Sequence, residues 1–192
     1  MPRGIRFELT PDERMERWQP LVHWLLGIPY AVAAAALVPV VVALVLVGGI
    51  GVLSTGRWPA GTARRLVGIH RFQYRVATFL WLLRRDQPRF SLAAQLDDPG
   101  DDPLHLTLPE PTPTSRWVPL TRWLLALPLL FAALVLSIGG VFSTVLAAAS
   151  ITVTGRWPAG LAEYATGVAR RQAQLLVYAE FLSDEPPRFS RI

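Results

Sequence analysis

The chain of 192 residues contains no cysteine. That excludes disulfides, thiolate nucleophiles, Cys-ligated zinc and iron–sulfur clusters. It also contains no lysine: all 19 basic residues are arginine. A P-loop lysine, a Schiff base and lysine acylation are therefore excluded. Charge is scarce, at 17% of residues, where soluble domains carry roughly a quarter. The scarcity is concentrated. No charged residue occurs from Trp24 to Gly56, and none from Trp123 to Gly155, two runs of about 33 residues each. A spanning helix needs roughly 20 apolar residues, and soluble helices show polar positions every few residues. The composition predicts an integral membrane protein. The formal charge of +5 then reads as basic flanks against anionic lipid headgroups rather than as a nucleic-acid surface.

The segment before the first run mixes Arg3, Arg6, Arg14 and Arg17 with Glu8, Asp12, Glu13 and Glu16. It has no apolar stretch followed by a cleavage site, so no signal peptide is expected. The first apolar run should itself direct insertion and remain.

Shifted by 99 residues, the sequence lies on itself without a gap. Arg17-Trp18 matches Arg116-Trp117, and Trp24-Leu25-Leu26 matches Trp123-Leu124-Leu125. Thr55-Gly56-Arg57-Trp58-Pro59-Ala60-Gly61 returns as Thr154-Gly155-Arg156-Trp157-Pro158-Ala159-Gly160. Pro88-Arg89-Phe90-Ser91 returns as Pro187-Arg188-Phe189-Ser190. About 28 of roughly 75 aligned positions are identical, clustered at the edges of the apolar runs. The chain therefore divides into an N-terminal segment (1–16), a first membrane repeat (17–92), an acidic proline-rich linker (93–115) and a second repeat (116–192). Each unit reads as an amphipathic entry ending at Pro29 or Pro128, a long apolar segment, a Gly-Arg-Trp-Pro-Ala-Gly turn and an amphipathic helix. The linker carries Asp97, Asp98, Asp101, Asp102 and Glu110. It is expected to be solvated and without a core of its own.

These motifs resemble the bacterial domain-of-unknown-function family 4389 (DUF4389), in two tandem copies. The matching residues are Trp24 to Pro29, Thr55 to Gly61, Gly68 to Arg71 and Pro88 to Ser91, with their partners in the second unit. Phe72 and Arg171 stand where the family tends to have Trp after the Arg. The resemblance implies membrane character and architecture, and no activity.

Two placements of the apolar segments compete. Each could cross the membrane once, as a tilted helix. Alternatively, each could fold back as a hairpin whose arms, about 22 Å long, are short for a core of roughly 30 Å. Pro39 near the middle of the first segment and Gly139-Gly140 at the matching place in the second favour a bend. A hairpin also puts all the arginines on one face, in keeping with the positive-inside rule, and the two identical turn motifs on one side. Inverted repeats exist, so both placements stand, with the hairpin favoured.

On a helical wheel, Arg64, Arg71 and Arg75 form a narrow stripe opposite Ile69, Phe72, Val76 and Leu83. Arg170 and Arg171 lie in the corresponding stripe of the second unit. Such helices suit the membrane interface, where Arg snorkels to phosphates; packing on the other unit suits them as well. In the turn, Gly56 can cap the preceding helix, Trp58 and Trp157 fit the aromatic belt, and Arg57 and Arg156 could hold a lipid phosphate. The candidate headgroup residues are therefore Arg57, Trp58, Arg64, Arg71, Arg75, Arg156, Trp157, Arg170 and Arg171.

Catalytic chemistry has no constellation to stand on. His23, His70 and His105 show no metal-ligand spacing, no cofactor is implied, and neither apolar run holds an acid such as transporters place there. The sequence thus predicts an all-α membrane protein with two tandem repeats, each a helical hairpin or transmembrane helix followed by an amphipathic interfacial helix. The function expected is non-catalytic: a scaffold that organises the bilayer, in the bacterial inner membrane, with cytoplasmic termini. The alternative is an accessory subunit of a larger membrane complex, in transport or envelope machinery. Lipids, a second copy or a complex partner are the expected contacts.

Overall fold

The computed structural model describes residues 6–182, apart from 12–13, 60, 99–101, 109–110, 112–114 and 159. The second Pro-Arg-Phe-Ser motif, at 187–190, lies outside the described residues. The order of elements is β1 (Arg6–Leu9), α1 (Gln19–Ala36), α2 (Val38–Thr55), α3 (Thr62–Leu80), β2 (Leu104–Thr107), α4 (Val118–Thr154) and α5 (Leu161–Ala179).

The apolar runs form long helices and not hairpins. Helix α4 continues through Gly139-Gly140 for 37 residues. Helices α1 and α2 meet at Leu37, itself right-handed at φ −82°, and together make a helical rod of 37 residues, Gln19–Thr55. The bend expected at Pro39 is a helix junction at which proline takes a first-turn position, where its missing N–H costs nothing. The glycine pair serves a different end. A side chain at Gly139 would overlap the Tyr164 hydroxyl, and a Cβ at Gly140 would lie 2.8 Å from the Trp81 ring. These glycines admit aromatic rings rather than break a helix. The entry stretches do not end at their prolines either. Pro29 and Pro128 lie inside α1 and α4, at the cost of the hydrogen bonds that their N–H groups would have given to Leu25 and Leu124.

Both long helices end in the same way. Gly56 and Gly155 sit in the left-handed region at φ 72° and 73°, and each donates its N–H to a carbonyl four residues back, as expected of a glycine cap. The two rods run antiparallel. Met15, just ahead of α1, donates its N–H to the Gly155 carbonyl at the end of α4 (3.1 Å). A Cβ at Gly49, late in α2, would lie 2.9 Å from the Trp123 ring, early in α4. Helix α3 returns along α1: Trp24 donates its indole N–H to the Leu80 carbonyl (3.2 Å), and Gln73 donates to the Ala34 carbonyl (3.2 Å).

The fold is not all helix. Strands β1 and β2 pair antiparallel, Arg6 opposite Thr107 through Leu9 opposite Leu104. Period-two alternation puts Phe7, Leu9, Leu104 and Leu106 inward, where they join Leu66, Val67, Tyr74, Leu82 and Leu83 in the core. The expected solvated linker is therefore corrected: its second half supplies a strand and fully buried leucines. The reason is that α3 is buried around most of its circumference, with His70, Arg71 and Arg75 included, and so is covered on both flanks.

This cover predicts a contrast between two glycines 99 residues apart. A Cβ at Gly68 would lie 2.6 Å from the Ala93 carbonyl oxygen, whereas at Gly167 it would meet nothing within 4 Å. Gly68→Ala should cost about 1–3 kcal/mol by pushing the linker off α3. Gly167→Ala should stabilise by up to about 1 kcal/mol through helix propensity. Thermal unfolding of the two variants checks the difference in sign.

Candidate functional site

Three arginines and two aspartates meet beneath the linker. One helical turn separates Arg71 from Arg75 and sets them on one face; Arg84 follows the helix. Asp98 accepts hydrogen bonds from the Arg75 guanidinium with both oxygens (3.0 and 3.1 Å). It also faces Arg71 Nε at 3.1 Å. Asp102 takes Arg84 in a forked pair (2.7 and 3.1 Å) and stands 3.4 Å from Arg75 Nε. Arg71 donates further to the carbonyls of Asp97 (3.1 Å) and Leu106 (3.0 Å). The carboxylates in turn accept the N–H groups of Leu104 (3.0 Å) and Leu106 (3.3 Å). All five side chains are buried. Burial lowers the Arg71 pKa from its usual value and Asp98 opposes that shift; a guanidinium remains charged all the same. Planar guanidinium forks matched to carboxylates are the geometry that makes such buried pairs tolerable.

A second buried pair ties the two halves together. His70 Nε2 lies 2.7 Å from the Glu180 carboxylate, and Nδ1 lies 3.1 Å from Gln73 Oε1. Burial opposes charge on the imidazole, yet Glu180 and Gln73 outweigh it and raise the His70 pKa. The neighbouring Tyr74 phenol is pushed up by burial and by Glu180, so it stays neutral. A group whose folded pKa is raised stabilises fully below its unfolded value, about 6.5 for His. That contribution is lost as pH rises through the higher folded value. The unfolding temperature should therefore fall as pH climbs from about 6.5, and His70→Gln should flatten that slope. Thermal scans of both proteins across neutral pH provide the check.

The turns place their tryptophans inward, each reaching across to the other half. Trp157 is buried and donates to the Leu82 carbonyl (2.8 Å); Trp58 is half-buried and donates to the Phe181 carbonyl (3.2 Å). Acceptors and donors alike are 99 residues apart. Both acceptor residues have left-handed backbones, at φ 60° and 49°, uncommon for non-glycine residues.

The candidate headgroup residues thus separate. Arg57, Arg64, Arg156 and Arg170 are exposed, and Arg171 is half-buried. Arg71 and Arg75 are buried, Arg71 against Asp98 and Arg75 against Asp98 and Asp102, and Trp157 belongs to the core. The helix bearing Arg71 and Arg75 is an interior element there rather than an interfacial one, since the linker covers that part of its polar stripe and leaves Arg64 of the first turn exposed. In the sequence Asp98 and Asp102 read only as acids of a solvated linker, and Arg84 and Glu180 are not singled out. The available signal was the bunching of acids in 97–102, in a chain whose first amphipathic helix carries no acid.

What remains outermost is apolar. Of the most apolar stretch of each rod, only 17% is buried. Leu25, Ile28, Val32, Val42 and Ile50 on one rod, and Leu124, Phe131, Leu134, Ile138 and Phe142 on the other, are exposed. Two helical rods are thus long and apolar enough to cross a membrane. Between α4 and α5, a cavity of about 230 Å³ is lined by Tyr74, Leu129, Ala133, Ser137, Gln172 and Leu175. Gln172 donates to Ser137 there (2.7 Å).

No curated protein and no solved structure matches the chain. A family model does match, in one copy where two were expected: residues 117–191 are similar to the family described as Domain of unknown function (DUF4389).

Proposed function

We propose that this chain is a non-catalytic membrane protein that organises or shapes the bilayer, built from two related units in tandem. The observation that carries the reading is the pair of helical rods, uncharged from Trp24 and from Trp123 onward, whose most apolar stretches are only 17% buried. Contiguous apolar surface on this scale marks an interaction with membrane or protein. Lipid is favoured because neither run holds a charge, whereas protein interfaces carry a polar rim. Trp18 and Trp117, exposed at the starts of the rods, suit headgroup depth. Exposed Arg57, Arg64, Arg156 and Arg170 suit anionic headgroups. The kinship of the two units rests on the 99-residue register and on the matched caps and crossed indole bonds.

The test is reconstitution with liposomes containing anionic lipid. The protein should float with the vesicles, resist extraction by alkaline carbonate, and give smaller or tubulated vesicles at high loading. Vesicles of unchanged size would remove the shaping role. A second reading, an accessory subunit of a larger membrane complex, draws on the partly exposed small residues Ala33–Ala36, which allow another helix to approach closely. Co-purification of a stoichiometric membrane partner would favour it.

A further inference from the structure

The level at which the polar parts of the fold sit decides how the rods meet a bilayer. Gln73 of α3 bonds Ala34, close to Leu37, the midpoint of the first rod. Arg71 and Arg75 flank Gln73, so the arginine–aspartate cluster and the chain that covers it lie beside the middle of the rod, not beyond either end. Strand β1 is at the same level: the Phe7 ring packs 5.9 Å from Tyr74. Its alternate residues, Arg6 and Glu8, point away, with side chains 65% exposed.

Rods standing across the membrane would hold those charges and an open two-stranded sheet edge at the centre of the hydrocarbon. Charges there are costly, and lipid-exposed strand edges do not occur there. Length argues the same way. The uncharged helix from Trp24 to Thr55 measures about 48 Å. Fitting it upright into a core of about 30 Å requires a tilt of about 50°, beyond the usual range. The molecule is sided across its thickness instead. Apolar rods form one face, α3 and α5 pack behind them, and the sheet and linker form the other.

We propose that the rods lie along the bilayer plane within one leaflet, with the sheet and linker in water on the same side and acyl chains covering the exposed face. This rests on the membrane reading above. Upright and in-plane placements make opposite statements about four exposed positions. Ser54 and Ser115 lie at one end of the antiparallel pair, and Arg17 and Thr154 lie at the other. Single Cys variants at these sites have no native cysteine to compete with. They are to be labelled with an impermeant maleimide in right-side-out and inside-out vesicles of the expression host. The in-plane placement expects all four to label from one side only. Ser54 and Ser115 labelling opposite to Arg17 and Thr154 would overturn it and leave a spanning membrane protein. A fluorophore on V38C or I138C, at exposed mid-rod positions, separates in-plane rods from hairpins that also keep the ends on one side. In-plane rods expect stronger quenching by nitroxides high on the acyl chain than by nitroxides at its end. The reverse order would overturn the placement. Failure of the unmodified chain to float with liposomes would overturn the membrane reading itself.

Discussion

Asp98→Ala should be among the most damaging single substitutions in this chain, costing about 3–5 kcal/mol, the usual penalty for orphaning a buried charge. Asp98 answers two guanidiniums at once and also accepts the Leu106 N–H. Its loss leaves Arg71 and Arg75 enclosed with insufficient negative charge. Neither can shed its proton, so the cluster must open or admit water. Asp98→Asn keeps the shape and the acceptor oxygen while removing the charge, and should recover only a minor part of the loss. Replacing Arg71, Arg75 and Asp98 together by apolar residues of similar volume should cost far less than Asp98→Ala, because no unpaired charge remains. Denaturant or thermal unfolding of the three variants in one detergent supplies the comparison. Equal stability of Asp98→Ala and the parent would show that the linker does not dock on α3 as described.

Trp157→Ala should cost a similar amount, about 3–5 kcal/mol, by emptying a large buried volume. Trp157→Phe isolates the polar part. It fills most of the space but leaves the Leu82 carbonyl without its donor, an expected loss of about 1–3 kcal/mol. Trp58, half-buried, should respond less to the same changes. That asymmetry distinguishes packing from a headgroup role. A belt tryptophan would alter membrane partitioning with little effect on unfolding, so paired flotation and unfolding measurements separate the two.

The sequence made the long helices legible because their signal is local and redundant. An uncharged run with Gly56 or Gly155 at its end specifies a helix and its stop without reference to the rest of the chain. The same locality explains the errors. Gly139 and Gly140 read as breakers because their reason, room for Tyr164 and Trp81, comes from residues far along the chain. The strands are four residues long, and Arg-Phe-Glu-Leu alternates too briefly to stand out. The candidate site was half legible. The spacing of Arg71 and Arg75 showed that they share a face, but what that face meets depends on Asp98 and Asp102 folding back more than twenty residues later. Acids beside prolines look solvated until the arginines they neutralise are identified.

The crossed indole bonds carry a consequence for how such a molecule could exist at all. Trp58 finds its acceptor in the second half and Trp157 in the first. Severed from each other, the halves would each hold a donor and an acceptor that do not reach one another. Two copies of either half could satisfy both by swapping, which is the geometry of a twofold homodimer. The joined chain fixes that encounter at the concentration set by its own tether, and it frees the linker to differ on its two sides. That freedom is what lets α3 acquire an acidic cover that α5, among the described residues, does not share.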